Sequence, residues 1–297
     1  MSFKRSPKPL HQRDDSGPLK RDALRRLYTA MLKCRMAEGH IARVVHRRHL
    51  PKDYVPAIGR EATEVGATLD LRADDVIAPA RRSLVAHIVR EVPLAEIFQG
   101  LLEARQPSEA SNGLKIVPAP RTLGAQLAVA SGVAFANRML GKEATVIALA
   151  GYAGDKSFKP VMQYASAHRL PIVFVLETQA RVGTRLDEGL LRLSSAAQMP
   201  GLVVDGNDAI AVYRVAHEAI KRARQGYGPA LIECRRERGH TTQAANGRPH
   251  SASDPLTSME GFLEAQGLWT EDWKKELVEQ YSKEIEAALG QVIKKKG

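Results

Sequence analysis

The sequence has few of the residues that build disulfide scaffolds, zinc sites or membrane spans. It contains only two cysteines, Cys34 and Cys234, which lie far apart and without metal-type spacing. This usage predicts buried free thiols in a reducing compartment. No apolar run reaches the ~20 residues that cross a bilayer, and the polar N-terminus has no apolar signal-peptide segment. We therefore expect a cytoplasmic protein without a membrane anchor.

Aromatic residues are also scarce, at 5% of the chain, although the formal net charge is +11. A charge of this size attracts nucleic acids or acidic partners. However, the Lys and Arg residues are spread along the chain, and neither a basic helix nor an aromatic platform for stacking bases stands out. Nucleic-acid binding is therefore disfavoured, and a basic protein that binds anions or docks onto an acidic partner is favoured.

Hydrophobic residues make up 44% of the 297 residues, which is enough to form one large α/β core. Residues 1–20 are rich in Lys, Arg, Pro and His and predict a disordered basic arm. Residues 21–245 predict the α/β domain, which begins with an amphipathic helix broken at Gly39. Residues 246–297 predict a C-terminal arm that ends in a helix.

A βαβ unit is predicted at the centre of the chain. Residues 145–150 and 171–176 are short apolar runs typical of buried parallel strands, and residues 157–169 have the spacing of a crossover helix. Residues 151–156 form the turn after the first strand. Because the carboxyl ends of parallel strands face the binding crevice and a helix N-terminus favours phosphate, we predict the ligand site at this turn.

Several motifs around this unit occur in a recognisable order. Residues 58–62 read IGREA, residues 204–213 read VDGNDAIAVY and residues 228–233 read GPALIE. They resemble IGQEA, VDGNDVLAVY and GPxLIE of the α subunits (E1α) of thiamine-diphosphate (ThDP)-dependent 2-oxo acid dehydrogenases of the pyruvate, branched-chain or acetoin type. The resemblance covers about residues 27–289. It implies an α/β fold in which helices flank a parallel sheet, the ThDP-binding fold of E1α type.

The cofactor motif departs from that pattern. The family has Gly-Asp-Gly after one strand and Asn-Asn after the next, whereas this chain has Gly151-Tyr152-Ala153 and Thr178-Gln179. Magnesium prefers carboxylate and phosphate oxygens. Tyr152 is a neutral phenol, and Arg181 stands where relatives supply a main-chain carbonyl. ThDP and Mg²⁺ are thus implied by the resemblance but predicted not to bind, and we predict no metal ligand.

Five residues are candidates for holding a diphosphate or another anion. Arg82 matches the arginine that grips the diphosphate in relatives, and Lys156 and Arg181 add positive charge near a helix N-terminus. Gly124 and Gly151 lie at turns where the resemblance places the backbone against the cofactor. These residues lead to the hypothesis of a pocket that binds an anion directly, without a metal.

Catalytic candidates are fewer. Residues 236–241 read RERGHT and resemble the family's R-x-R-G-H-S loop, so His240 is the candidate catalytic residue. Leu84 occupies the place of the other active-site histidine. A second alignment of the central loop would let Asp155 supply the missing carboxylate, whereas the alternative role for Asp155 is to cap the following helix.

Two functions follow from this pattern. The first is an E1α-like component for 2-oxo acid decarboxylation and transfer to lipoamide, with impaired or lost ThDP and Mg²⁺ binding. The alternative is a non-catalytic E1α paralogue with an assembly or regulatory role. The resemblance implies an oligomer with an E1β-like subunit, with self-association as the other arrangement, and the lipoyl domain of an E2 component as acceptor.

Overall fold

Helices and strands alternate through the centre of the chain. The computed structural model describes residues 19–44, 50, 54, 56–80, 83–103, 115–117, 122–151, 158–180, 189–237 and 254–294. Within them the elements are α1 (Arg21–Val44), α2 (Glu61–Thr68), β1 (Val76–Ala78), α3 (Val85–Val89), α4 (Leu94–Leu102), α5 (Leu123–Met139), β2 (Val146–Gly151), α6 (Lys159–Ala167), β3 (Ile172–Ala180), α7 (Gly189–Ala196), β4 (Gly201–Asp205), α8 (Ala209–Arg224), β5 (Ala230–Glu237), α9 (Pro255–Ala265) and α10 (Glu271–Lys294).

The described strands form one parallel sheet in the order β1-β2-β3-β5-β4. Successive residues of a strand face opposite sides, so Val146 and Ala148 join one apolar layer while Ile147 and Leu149 join the other. Helices α5 and α6 contribute to the first layer, and α8 contributes Val212 to the second. The prediction of an α/β fold with helices flanking a parallel sheet is confirmed.

A third apolar cluster lies among helices rather than against the sheet. It joins α1, α4, α9 and α10 through buried Leu27, Phe98, Leu263 and Ile285. The predicted break of the first helix at Gly39 is wrong, since α1 runs unbroken from Arg21 to Val44. Burial of the neighbouring apolar side chains in this cluster offsets the low helix propensity of glycine.

Both cysteines are buried and free, as predicted. The strand predicted at residues 171–176 extends to Ala180, because its last residues pair with β5 as far as Glu237. None of the described helices combines the length and the apolar character that a membrane-spanning segment needs. The predicted arm at residues 1–20 and the boundary at 245 lie largely or wholly outside the described residues.

Candidate functional site

The ends of β2, β3 and β5 lie side by side at the carboxyl edge of the sheet. Gly151 is opposite Glu177, and Glu177 is opposite Cys234 on its other side. The chain enters helix α2 at the same edge through a turn in which Gly59 has φ 79° and the Arg60 N–H donates to the Ala57 carbonyl at 2.7 Å. Because a positive φ favours glycine, Gly59 allows this turn, and the turn places Arg60 beside the strand ends.

Two arginines hold the carboxylate of Glu177 at this edge. Arg60 donates from Nε to Glu177 Oε2 at 2.8 Å, and Arg236 donates from Nε to Oε1. The Arg60 side chain is only 12% exposed, so both the charge and its partner are largely removed from water. We call Arg60, Glu177 and Arg236 the arginine clamp. It joins the start of α2 to β3 and β5.

Arg60 of the clamp also contacts a second buried carboxylate, that of Glu64. Arg60 Nη2 lies 2.7 Å from Glu64 Oε1, close enough for an ion pair although not aligned as a hydrogen bond. The Ser83 hydroxyl donates to the other oxygen of Glu64. Burial raises the pKa of Glu64, and the charge of Arg60 opposes that rise. Burial lowers the pKa of Arg60, but Glu64 and Glu177 outweigh it, so that pKa is raised and Arg60 stays charged.

Further carboxylates around α2 are also satisfied within the protein. Arg35 forms a bidentate ion pair with Glu61 and also donates from Nη2 to Asp254 Oδ1 at 2.7 Å. These contacts link α1, α2 and the start of α9. Glu38 accepts from the Tyr54 hydroxyl and from the Ala57 N–H. Burial raises the pKa of Glu38 to about 8, against the hydrogen bond from Ala57 that lowers it.

The start of α5 is fixed to the same edge by Gln126. Its side-chain amide donates to the carbonyls of Pro79 at 2.7 Å and Leu149 at 2.6 Å, next to the ends of β1 and β2. Thr122 caps the helix by accepting from the Ala125 N–H. Gly124 therefore lies inside the first turn of α5, and the expectation of a turn ahead of the helix is corrected. The cap starts the helix one residue before Gly124.

The structure places only some of the predicted site residues. Gly124 and Gly151 are described, and Gly151 lies exposed at the end of β2. Leu84 is buried in the apolar cluster of α1 and α4, and Gln179 is exposed near the end of β3. Outside the described residues are Arg82, Tyr152, Asp155, Lys156, Arg181 and His240.

Sequence reasoning did not identify the arginine clamp. The available signal was the arginine of IGREA, which stands where the resembling motif IGQEA has glutamine. An arginine at the start of a largely buried helix requires a carboxylate partner, since a buried unpaired charge is costly. The partner itself, Glu177, lies 117 residues away and is brought near by the sheet.

The described residues offer few free ligands to a magnesium–diphosphate group. Among them, no group of three or more His, Cys, Asp and Glu side chains could hold a metal ion. Glu177 is the carboxylate opposite Gly151, and each of its oxygens already accepts from a guanidinium. A divalent cation at Glu177 would have to compete with Arg60 and Arg236 for these oxygens and would be repelled by both charges.

Comparisons with known proteins agree on one family. A profile of the dehydrogenase E1 component family matches residues 28–297. Pyruvate dehydrogenase E1 component subunit alpha of Staphylococcus aureus is 33% identical over 259 residues, which cover 80% of this chain and 69% of the relative. The Staphylococcus epidermidis protein of the same name is 32% identical over the same length, with the same coverage.

One solved structure gives a weaker likeness. It is described as a candidate thiamin diphosphate-dependent enzyme from Mycobacterium smegmatis and has a TM-score of 0.42 at 16% identity. The match covers 60% of this chain and 31% of that chain. This chain thus spans about a third of the length of that structure.

Proposed function

The chain belongs to the dehydrogenase E1 component family, and we propose that it is an E1α-like subunit in which ThDP and Mg²⁺ binding is impaired or lost. The reaction class proposed for the assembly is decarboxylation of a 2-oxo acid and transfer of the acyl group to lipoamide. Similarity to pyruvate dehydrogenase α subunits over most of the chain supports this class. When ThDP is bound, it supplies the electron sink for such chemistry.

The arginine clamp is the observation that carries the impairment. Glu177, the carboxylate opposite Gly151, is already neutralised by Arg60 and Arg236, whereas a magnesium ion beside Gly151 would need free oxygen ligands. The sequence adds to this argument, since Tyr152 and Gln179 stand where the resembling motif has Asp and Asn. Losing both types of ligand together weakens metal binding more than losing either one.

We further propose that any anion bound at this edge is held directly by basic residues. The candidates remain Arg82, Lys156 and Arg181, with the backbone at Gly124 and Gly151, and His240 remains the candidate catalytic residue. Titration calorimetry with pyrophosphate, phosphate and ThDP in the presence of EDTA tests this site. Binding of pyrophosphate that weakens when Arg82 or Lys156 is changed to Gln supports it. Absence of heat with all three anions removes it.

An E1β-like subunit is the proposed partner, with an E2 lipoyl domain as acceptor. The name "subunit alpha" of the relatives supports a partner of a second type. A basic chain with a formal charge of +11 also suits an acidic partner. The alternative function, a non-catalytic paralogue that assembles with or regulates E1 components, is favoured by the same clamp, because the clamp neutralises Glu177 without a cofactor.

Thermal melting tests the impairment. The chain is melted alone and with the E1β-like subunit from the same organism, with and without ThDP and Mg²⁺. A ligand at 100 times its dissociation constant stabilises the folded state by about 2.7 kcal/mol. Unchanged melting temperatures in both samples support the proposal, and a clear rise on adding ThDP and Mg²⁺ refutes the impairment.

A second assay separates the two functions. ThDP-dependent decarboxylation of a 2-oxo acid by the reconstituted complex supports a weakly active E1α-like component. A stable complex with the E1β-like subunit that lacks this activity supports the assembly role. A catalytically complete E1α chain mixed with the same E1β-like subunit is the positive control.

A further inference from the structure

The amino edge of the sheet, where its strands begin, lies opposite the arginine clamp. In a parallel sheet the chain leaves along a strand and returns along a helix, so α5, α6 and α8 end at this edge. Each of these helices brings an arginine to the edge. Arg138 lies in the last turn of α5, Arg222 lies in the last turn of α8, and Arg169 lies just after the end of α6. We call these three arginines, together with Tyr227, the basic edge.

Direct contacts make the members of the basic edge neighbours. Arg138 Nη1 donates to the carbonyl of Arg169 at 2.9 Å. A Cβ at Gly228 would lie 3.4 Å from Arg169 Cα and 3.8 Å from its Cγ, so Arg169 lies beside the turn that follows α8. In that turn the Arg222 guanidinium lies 5.0 Å from the centre of the Tyr227 ring. The four side chains therefore belong to one patch around Gly228.

The positive charge of this patch is not neutralised within the described part of the chain. No carboxylate there forms an ion pair with Arg138, Arg169 or Arg222, whereas the nearby Arg224 pairs with the buried Asp75. A helix C-terminus carries about half an elementary negative charge, which is less than the full charge of a guanidinium. Each of the three helix ends therefore keeps a net positive charge, and Arg138 and Arg169 are exposed to solvent.

Tyr227 adds an open aromatic surface to the basic edge. It is 56% exposed, and Arg222 lies over its ring. Tyr and Arg are enriched in protein–protein interfaces and among the residues that dominate their binding energy. An exposed tyrosine beside three unpaired arginines is therefore the composition of a docking surface rather than of a solvated charge cluster.

The surroundings of the patch favour carboxylates over phosphates as its ligands. Glu143 is 85% exposed at the same edge, and Asp74 is also exposed. A nucleic acid laid across this edge would bring its continuous phosphate charge beside both acids. It would also find a single tyrosine rather than a series of rings for stacking bases. A peptide can instead place separate carboxylates at the arginines, where a guanidinium accommodates a carboxylate with two parallel hydrogen bonds.

We propose that the basic edge docks an acidic segment of a partner protein, with Asp or Glu side chains at Arg138, Arg169 and Arg222 and an apolar side chain against Tyr227. The surface lies at the opposite end of the strands from the arginine clamp. Docking there goes beyond the proposed function and requires no cofactor. Its failure and the failure of the proposed function are therefore distinguishable.

Fluorescence anisotropy of the full chain with a labelled poly-glutamate peptide of about ten residues tests the docking. Binding is expected at low salt and should weaken at about 0.15 M salt, where the Debye length falls to about 8 Å. Arg169→Glu and Arg222→Glu should each weaken binding by about 10-fold, because an attraction becomes a repulsion. Arg214→Glu is the matched control, since it changes the net charge equally at an exposed position in the first half of α8. Its effect should stay within about twofold.

Variants that only remove charge keep the test decisive if a glutamate variant fails to fold. Arg169→Gln and Arg222→Gln should each weaken peptide binding by about threefold. Absence of peptide binding at low salt overturns the proposal, as does binding that Arg169→Glu and Arg222→Glu weaken no more than Arg214→Glu does. Tighter binding of a single-stranded oligonucleotide of equal charge, weakened by the same two changes, also overturns it and assigns the basic edge to nucleic acid.

Discussion

Replacing Arg60 with glutamine, the residue of the resembling IGQEA motif, tests the arginine clamp. Arg60 lies 2.8 Å from Glu177 and 2.7 Å from Glu64 and is 12% exposed. Removing one partner of a buried ion pair costs about 3–5 kcal/mol because the other charge is left behind. Arg236 still neutralises Glu177. Glu64, whose pKa is raised, can take up a proton. We therefore expect the lower end, about 3 kcal/mol.

Thermal melting measures this loss. At about 2–4 °C per kcal/mol, Arg60→Gln should lower the melting temperature by about 6–12 °C. Arg72→Gln is the matched control, since Arg72 is 62% exposed and lies 4.0 Å from Glu143. Loss of an exposed ion pair of this kind changes the free energy of unfolding by no more than about 0.5 kcal/mol. Arg60→Lys keeps the charge without the planar fork and should lie between wild type and Arg60→Gln.

A double-mutant cycle isolates the contact between Arg60 and Glu177. Glu177→Gln in the Arg60→Gln background should cost less than it does in wild type, with a coupling free energy of about 1–3 kcal/mol. If Arg60→Gln has the same melting temperature as the Arg72→Gln control, the clamp does not stabilise the edge of the sheet. Additive effects of the two single changes would show that Arg60 acts through Glu64 rather than through Glu177.

Three further predictions concern buried or capping residues. The pKa of Glu38 rises from 4.5 to about 8 on folding, so its protonation stabilises the fold at low pH, and that contribution is lost as the pH rises towards 8. In the wild type, this loss lowers the free energy of unfolding by at most about 1.4 kcal/mol per pH unit above pH 4.5. Glu38→Gln should make this decrease shallower, and an unchanged dependence of the unfolding free energy on pH would contradict the prediction. Burial lowers the pKa of His87 from 6.5 to about 4, so the fold loses stability as the pH falls through that interval. His87 Nε2 is buried without a hydrogen-bond partner among the described residues. His87→Leu should therefore raise the free energy of unfolding by about 1 kcal/mol at neutral pH, and chemical denaturation should show a smaller loss of stability in acid. Destabilisation by His87→Leu would show that His87 has an unrecognised partner. Asp208 accepts from the N–H groups of Ile210 and Ala211 at 2.9 Å, so Asp208→Ala should cost about 1 kcal/mol in urea unfolding whereas Asp208→Asn should cost much less.

Local sequence patterns predicted the order of the central elements correctly. The apolar runs after residues 144 and 170 became β2 and β3, and the helical spacing between them became α6. The last aspartate of VDGND, Asp208, caps the helix that follows it. These features depend on neighbouring residues, which is why a single sequence reveals them. The extra length of β3 depends instead on its pairing with β5, and Gly39 remains helical because of packing with distant helices.

The candidate site was less predictable for the same physical reason. The members of the arginine clamp are separated by 117 and 59 residues and meet only through the register of the sheet. A sequence pattern could indicate an unusual arginine at position 60, but not which carboxylate neutralises it. Family membership was predictable because several motifs agree, and it is confirmed. The loss of cofactor binding stays a prediction, since Tyr152, Lys156, Arg181 and His240 lie outside the described residues.

Equilibrium binding of a divalent ion tests the central claim most directly. Mn²⁺ accepts the same oxygen ligands as Mg²⁺, and the free ion gives an electron paramagnetic resonance signal that falls when the ion is bound. The sample contains the chain, its E1β-like partner, ThDP and Mn²⁺, and a catalytically complete E1α chain serves as the control. We predict that the free Mn²⁺ signal equals that of a protein-free sample with the same ThDP. Loss of one equivalent of signal per chain would contradict the account.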